Sequence, residues 1–116
     1  MTYTDYFRMT KEEIIEEFED YGTGVSRKSC TETDLSGADI LFAAYELADY
    51  SGECEIIYLK DGKYYTVSGS HCSCHGLEGQ WDPVEMTREA LLHMAANALG
   101  EIYQHYKEEI IRAILS

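Results

Sequence analysis

The amino-acid sequence predicts an α+β domain in which a small three-stranded antiparallel sheet packs with an N-terminal helix and a C-terminal helical region. Apolar residues at helical spacing toward both ends of the chain indicate the helices. Between them, two β-rich runs separated by Asp61-Gly62 are typical of a hairpin. The 116 residues suit a single domain, residues 1–116, with a core of its own.

Residues 10–20 are predicted to form the N-terminal helix, because Thr10 and Glu13 fit a capping box. The segment has one narrow apolar stripe, formed by Ile14, Ile15 and Phe18. Most of its other residues are acidic, and like charges four residues apart weaken an isolated helix. We therefore expect the helix to dock through the stripe and to show its carboxylates to solvent.

Residues 22–38 have no clear period and predict a loop that contains an isolated Cys30. Residues 39–48 fit both a helix and a strand, and periodicity alone does not decide between them. We predict a strand, since a turn and a better strand follow directly. Residues 54–60 and 63–68 then pair as an antiparallel hairpin, which completes a three-stranded meander.

The region from Asp82 onward is predicted to be helical. Asp82 followed by Pro83 suits a helix start, and Thr87 is a rival start. Apolar residues recur at spacings of three and four from Leu91 to the C-terminus. Gly100 interrupts this pattern, so the region forms either one helix or two.

The formal net charge of −13 at pH 7 is the strongest overall feature of the composition. It argues against direct binding to nucleic acid or anionic lipid, because both favour Lys and Arg. The charge suits a protein that binds a partner with a basic surface, and equally a protein whose charge only keeps it soluble. The longest apolar run, residues 40–45, is too short to cross a membrane, and the N-terminus lacks the features of a signal peptide. We therefore expect a cytoplasmic protein, either monomeric or homo-oligomeric, whose cysteines are not disulfides.

Residues 69–81 contain two of the four cysteines, two of the four histidines and the only tryptophan. If the second hairpin strand continues to residue 75, Cys72 and Cys74 share one face, and His71 and His75 share the other. The two cysteines can then supply two of about four ligands to zinc, and the others would come from Cys30, Cys54, or a histidine if the backbone turns.

Two other interpretations of this cluster stay open. A thiolate beside a histidine can act as a nucleophile, although adjacent strand residues such as His71 and Cys72 point apart. The cysteines can also be small buried thiols in a tight glycine-rich loop. Trp81, at the end of the cluster, is predicted to be buried against the sheet or the following helix, with a binding hot spot as the alternative.

Three strings stand out in the chain: Asp49-Tyr50-Ser51-Gly52, then Lys60-Asp61-Gly62-Lys63-Tyr64-Tyr65, and then Gly69-Ser70-His71-Cys72-Ser73-Cys74 continuing to Gly76-Leu77-Glu78-Gly79-Gln80-Trp81. The last of them is long enough to be specific. Together they resemble a recurrent family of small proteins carried by bacteriophages and prophages. The resemblance implies a phage-encoded accessory protein that acts in the bacterial cytoplasm. It carries no catalytic residue over to this chain.

We expect a non-enzymatic protein that binds and inhibits a host protein, for example a nucleic-acid-binding defence complex of the CRISPR or restriction type. Its carboxylates would occupy a basic channel in place of phosphates. The residues expected to bind are Glu12, Glu13, Glu16, Glu17, Glu19, Asp20 and Trp81. The alternative is a small metal-binding regulatory or assembly protein centred on Cys72 and Cys74, with zinc as its cofactor.

The metal interpretation is testable directly. We predict that Cys72 and Cys74 are thiols or thiolates close to each other, not a mutual disulfide. If the cysteine cluster binds zinc, elemental analysis of protein purified without chelator should give stoichiometric zinc, because metal binding and folding are coupled. An absence of metal, together with undisturbed folding of Cys74→Ser, would contradict the metal form.

Overall fold

The computed structural model describes residues 4–18, 32–48, 52–71, 81–97 and 101–116. At its centre lies an antiparallel sheet of five strands. These are β1 (Thr4–Arg8), β2 (Asp39–Ala48), β3 (Gly52–Lys60), β4 (Lys63–His71) and β5 (Val84–Met86). Their order in the sheet follows their order in the sequence, so the sheet is a meander with β1 and β5 at its edges.

The prediction of a three-stranded sheet is wrong, because it omitted both edge strands. β1 comes from a mixed polar and aromatic segment and pairs with β2, more than thirty positions later, as in Arg8 opposite Ala44. No local pattern marks such a pairing. β5 has only three residues and follows Asp82-Pro83, a dipeptide that also suits a helix start. The α+β class itself agrees with the structure.

The predicted strand at residues 39–48 and the hairpin after it are both confirmed. Asp61 and Gly62 form the two-residue turn between β3 and β4, with φ angles of 53° and 77°. Positive φ at both central positions is the type I′ conformation, whose twist matches that of the flanking strands. The register between β2 and β3 shifts between Ile40 and Phe42, which is a β-bulge.

Helices cover both faces of the sheet. The first layer contains α1 (Lys11–Glu17) and α2 (Glu32–Leu35), and the second contains α3 (Arg88–Asn97), α4 (Glu101–His105) and α5 (Lys107–Leu115). The sheet is therefore the middle of three layers. Its central strand β3 is apolar on both faces, since adjacent Ile56 and Ile57 are fully buried in opposite layers.

The predicted N-terminal helix is confirmed over Lys11–Glu17, and it ends earlier than residue 20, with Phe18 as its C-cap. Thr10 Oγ1 accepts a hydrogen bond from the Glu13 N–H at 3.2 Å, and Glu13 Oε1 accepts one from the Thr10 N–H at 3.0 Å. This is the predicted capping box. Ile14 and Phe18 are fully buried, and Ile15 packs partly buried beside them.

Two other helix assignments need correction. Within residues 22–38, predicted as a loop, α2 forms and buries Leu35, while Cys30 lies outside the described ranges. In the C-terminal region the rival start is the correct one. Thr87 Oγ1 accepts a hydrogen bond from the Ala90 N–H at 3.1 Å, so Thr87 caps α3, and Asp82 precedes β5 instead. In the described residues from 81 onward the region forms three helices rather than one or two.

Trp81 is buried, as predicted, with 4% of its surface exposed. Its ring stacks on Tyr58 of β3, with 5.9 Å between centroids and 9° between planes. It meets Phe18 at the end of α1 edge to face, at 5.2 Å and 72°. Both arrangements are favourable for aromatic pairs. Trp81 therefore packs α1 onto the sheet, whereas the sequence pointed to the sheet or the following helix.

We predict that Trp81→Ala destabilises the fold by about 3–5 kcal/mol, the usual cost of truncating a buried tryptophan. Such a loss is a large part of the stability of a small domain. Chemical denaturation followed by circular dichroism measures it, with Val84→Ala, an exposed apolar residue, as the control. An unchanged unfolding midpoint for Trp81→Ala would show that the tryptophan does not anchor the layer.

Candidate functional site

The exposed surface of α1 carries the glutamates of the predicted binding site. They are Glu12, Glu13, Glu16 and Glu17, and all four are exposed, as predicted. Since residues three and four apart share a helix face, they form two rows. The outer row, Glu12 and Glu16, lies opposite buried Ile14.

The second row, Glu13 and Glu17, lies on the flank of α1 that faces β1. We call the two rows together the acidic face. The remaining predicted acidic residues, Glu19 and Asp20, lie outside the described part of the chain. The structure therefore brings together four of the six acidic side chains that the sequence singled out, on one docked helix.

A groove of about 450 Å³ runs between α1 and the edge strand β1. We call it the β1–α1 groove. Its lining residues are Tyr6, Phe7, Arg8, Met9, Glu13, Glu17 and Tyr45. Phe7 is 49% exposed and its ring lies 6.5 Å from that of Tyr45, its partner across the two strands. The groove therefore combines aromatic surface with two carboxylates.

Among the described lining residues Arg8 is the one cation, and its guanidinium is held on the other face of the sheet. Arg8 forms an ion pair with Glu109 of α5, and its Cζ lies 4.7 Å from the centre of the Phe42 ring. Its Nε also donates a hydrogen bond to the Ala43 carbonyl oxygen at 3.2 Å. Because Glu109 balances this charge, the carboxylates of Glu13 and Glu17 give the groove a negative electrostatic potential.

A second polar site lies on the opposite face of the sheet, near the start of β3. Oε2 of Glu55 accepts hydrogen bonds from Ser68 Oγ at 2.8 Å and from Tyr103 Oη at 3.1 Å. The carboxylate thus connects β3, β4 and α4. It borders an open depression of about 310 Å³ that is lined by Glu53, Glu55, Ser68, Gly69 and Ser70.

Burial raises the pKa of Glu55 to about 7. Hydrogen bonds from Ser68 and Tyr103 oppose this shift, and the nearby charge of Glu53 adds to it. Burial and the adjacent Glu55 carboxylate raise the pKa of the Tyr103 hydroxyl, which therefore remains a donor at neutral pH. Glu55 can accordingly take up or release a proton near neutral pH, which is a property shared by functional and structural carboxyls.

Cys54, beside Glu55 in the chain, faces the other layer and is a buried free thiol. Burial and then the charge of Glu55 raise the pKa of its thiol to about 12. A protonated, buried cysteine is a small apolar side chain rather than a nucleophile. Its place in the first core layer is therefore a packing role.

The predicted metal ligands are His71, Cys72, Cys74 and His75. His71 ends β4, and its side chain lies outside the described set, as do Cys72, Cys74 and His75. Within the ranges that the structure does describe, no group of three or more His, Cys, Asp or Glu residues is placed to hold a metal. Zinc binding at the cysteine cluster stays a prediction.

Sequence reasoning missed both Glu55 and the β1–α1 groove. A signal for Glu55 was present, because Ile56, Ile57, Tyr58 and Leu59 are consecutive apolar residues in one strand. Such a run predicts burial on both faces, which leaves Glu55 on a covered face. The groove has no comparable signal, since it exists only through the pairing of β1 with β2.

The pKa of Glu55 predicts a specific pH dependence of stability. Because the value of about 7 lies above the 4.5 of an unperturbed glutamate, the native state binds more protons than the unfolded state between these values. The free energy of unfolding is therefore higher below this window and falls as the pH rises through it. The contribution is at most roughly 3 kcal/mol, at about 1.4 kcal/mol per pH unit.

We predict that Glu55→Gln, which keeps an acceptor for Ser68 and Tyr103, removes this fall in stability between pH 5 and pH 8. Urea denaturation across this range measures it. Glu89→Gln, an exposed glutamate of α3, is the matched control and should retain the pH dependence, because its charge is not among the causes of the raised pKa of Glu55. If the free energy of unfolding of Glu55→Gln and of the parent changed with pH in parallel, Glu55 would already be ionised below this range.

Comparisons of the chain with protein-family models, with curated proteins and with solved structures give no significant match. A function for the chain is therefore argued from its own residues and geometry. Among the helices in the described ranges, none is long and apolar enough to cross a membrane.

Proposed function

We propose that this protein binds and inhibits a host protein that has a basic, nucleic-acid-binding surface, and that it does so without catalysis. The observation that carries the proposal is the acidic face of α1, on a chain whose formal net charge is −13. Carboxylates in this arrangement attract Lys and Arg side chains and repel phosphates. The partner expected is therefore a basic protein rather than a nucleic acid.

The acidic face is held in place before any partner arrives. The capping box fixes the start of α1, and Ile14 and Phe18 are fully buried beneath it. Trp81 packs against Phe18 and Tyr58 and so ties the end of the helix to the sheet. A rigid binding surface loses little conformational entropy on association, which favours affinity.

The expected class of partner follows from the charge and from the resemblance to phage-encoded accessory proteins. Defence complexes of the CRISPR and restriction types bind nucleic acid through basic surfaces, where phosphates dominate the contact. An acidic protein that occupies such a surface excludes the nucleic acid. The proposed place of action is the bacterial cytoplasm, where these complexes work.

Trp81 has no direct role in this proposal. With only 4% of its surface exposed, it contacts Phe18 and Tyr58 inside the protein, which supports a packing role rather than the alternative of a binding hot spot. It serves binding by positioning α1. The acidic face is therefore the surface to vary in a test.

We predict that the purified protein inhibits DNA cleavage by at least one member of a panel of purified restriction and CRISPR nucleases. For that nuclease, Glu12→Lys/Glu16→Lys should slow association about tenfold at low salt, because charge steering acts mainly on the association rate. The difference should shrink toward physiological ionic strength, where the screening length is about 8 Å. Surface plasmon resonance gives the association rates.

The matched control is Glu89→Lys/Glu108→Lys, which changes the net charge equally at exposed positions of α3 and α5, in the other layer. It should associate at nearly the parent rate. Equal slowing in both variants would reduce the effect to net charge alone. A failure to inhibit any nuclease in the panel, or to compete with DNA for it, would contradict the proposal for these classes of partner.

A further inference from the structure

We propose that the β1–α1 groove binds an extended basic segment of the partner protein, which adds to the sheet as a strand beside β1. This inference deepens the proposed function and rests on it, since it names the part of the partner that the acidic face holds. Addition of a strand to a sheet edge is a common mode of peptide recognition. Three features of the groove support it.

The first feature is the open backbone edge of β1. Among the described residues, β1 is an edge strand that pairs with β2 alone. Just after β1, the Met9 N–H donates to the Ala43 carbonyl oxygen at 3.1 Å. Because neighbouring residues of an antiparallel strand point their backbone groups in opposite directions, the Arg8 N–H points away from β2. The outer edge thus presents backbone groups to an incoming strand.

The second feature is apolar surface beside that edge. Phe7 and Leu47 are 49% and 36% exposed. Phe7 of β1 lies opposite Tyr45 of β2, and Leu47 is two residues beyond Tyr45 in the same strand. Opposite residues and residues two apart share a face, so Phe7, Tyr45 and Leu47 lie on the same face of the sheet. This is the face that α1 covers nearer the centre of the sheet. Alternate apolar side chains of an added strand would extend this surface.

The third feature is charge, which selects the occupant. Glu13 and Glu17 line the groove, whereas the guanidinium of Arg8 is paired with Glu109 on the other face. An added strand that alternates apolar with basic residues therefore complements both the aromatic surface and the carboxylates. A second copy of this chain fits poorly, because each copy brings a net charge of −13 to the interface.

The test uses two labelled peptides of about ten residues, a usual upper length for a strand. One alternates Lys with Val and the other alternates Glu with Val. Fluorescence anisotropy at low salt measures their binding to the full chain. We expect the Lys peptide to bind and the Glu peptide not to bind. Amide chemical shifts from NMR should change at Phe7 and Arg8 of β1 when the Lys peptide is added.

Two variants separate the groove from the rest of the surface. Phe7→Ser should weaken binding of the Lys peptide about tenfold, as for an aromatic anchor. Its matched control is Val84→Ser, which removes an exposed apolar residue from the other sheet edge and should bind normally. Glu13→Gln/Glu17→Gln should weaken binding by a similar factor, and Gln at position 13 still fits the capping box. Its control is Glu89→Gln/Glu108→Gln, with the same net charge.

The inference is overturned if both peptides bind equally, if neither binds, or if Phe7→Ser binds as tightly as Val84→Ser. It is also overturned if the parent chain is a dimer in light scattering that Phe7→Ser dissociates, because the occupant is then a second copy. If Phe7→Ser still inhibits the nuclease, only the inference about strand addition in the groove is overturned. If the Lys peptide binds but the protein inhibits no nuclease, that inference is supported and the proposed inhibitory function is overturned.

Discussion

Burial of the central strand on both of its faces is the constraint on which the rest of the structure depends. Ile56 and Ile57 are adjacent in β3, point to opposite sides, and are both fully buried. A strand of this kind needs a helical layer on each side, because exposing either face would leave a large apolar surface in water. The three-layer arrangement, with α1 and α2 on one side and α3 to α5 on the other, satisfies that need.

The same constraint explains the unusual state of Glu55. It occupies a position of β3 where the second layer covers the sheet, so its carboxyl is removed from most of the solvent. Hydrogen bonds from Ser68 and Tyr103 compensate for part of the lost hydration. The carboxyl thereby joins β4 and α4 to β3, and the fold tolerates a titratable group near its core at the expense of stability at high pH.

Layers on both faces leave the edge of the sheet and the outer surface of α1 as the surfaces used in the proposed binding. The faces of the central strands are occupied by packing, whereas β1 has apolar side chains and backbone groups that are turned outward. Edge strands of this kind are usually protected by charge, and Glu13 and Glu17 lie beside this one. Carboxylates at this edge repel other copies of the chain, and in the proposed function the same charges attract the basic partner.

The sequence by itself determined the features that depend on neighbouring residues. The capping box of Thr10 and Glu13, the turn at Asp61-Gly62 and the outward direction of the α1 glutamates all arise within a few positions, so local patterns predict them. The excess of acidic residues is likewise a property of composition alone.

Only the tertiary structure decided the number of strands, the second helical layer on the sheet, the environment of Glu55 and the existence of the β1–α1 groove. Each of these requires contact between segments far apart in the chain, such as Arg8 with Ala44 or Glu55 with Tyr103. A short edge strand gains its hydrogen bonds and its burial from a remote partner, so its own residues carry little signal. For the same reason Asp82-Pro83 suits a helix start in isolation, while the pairing of β5 with β4 makes the residues that follow it a strand.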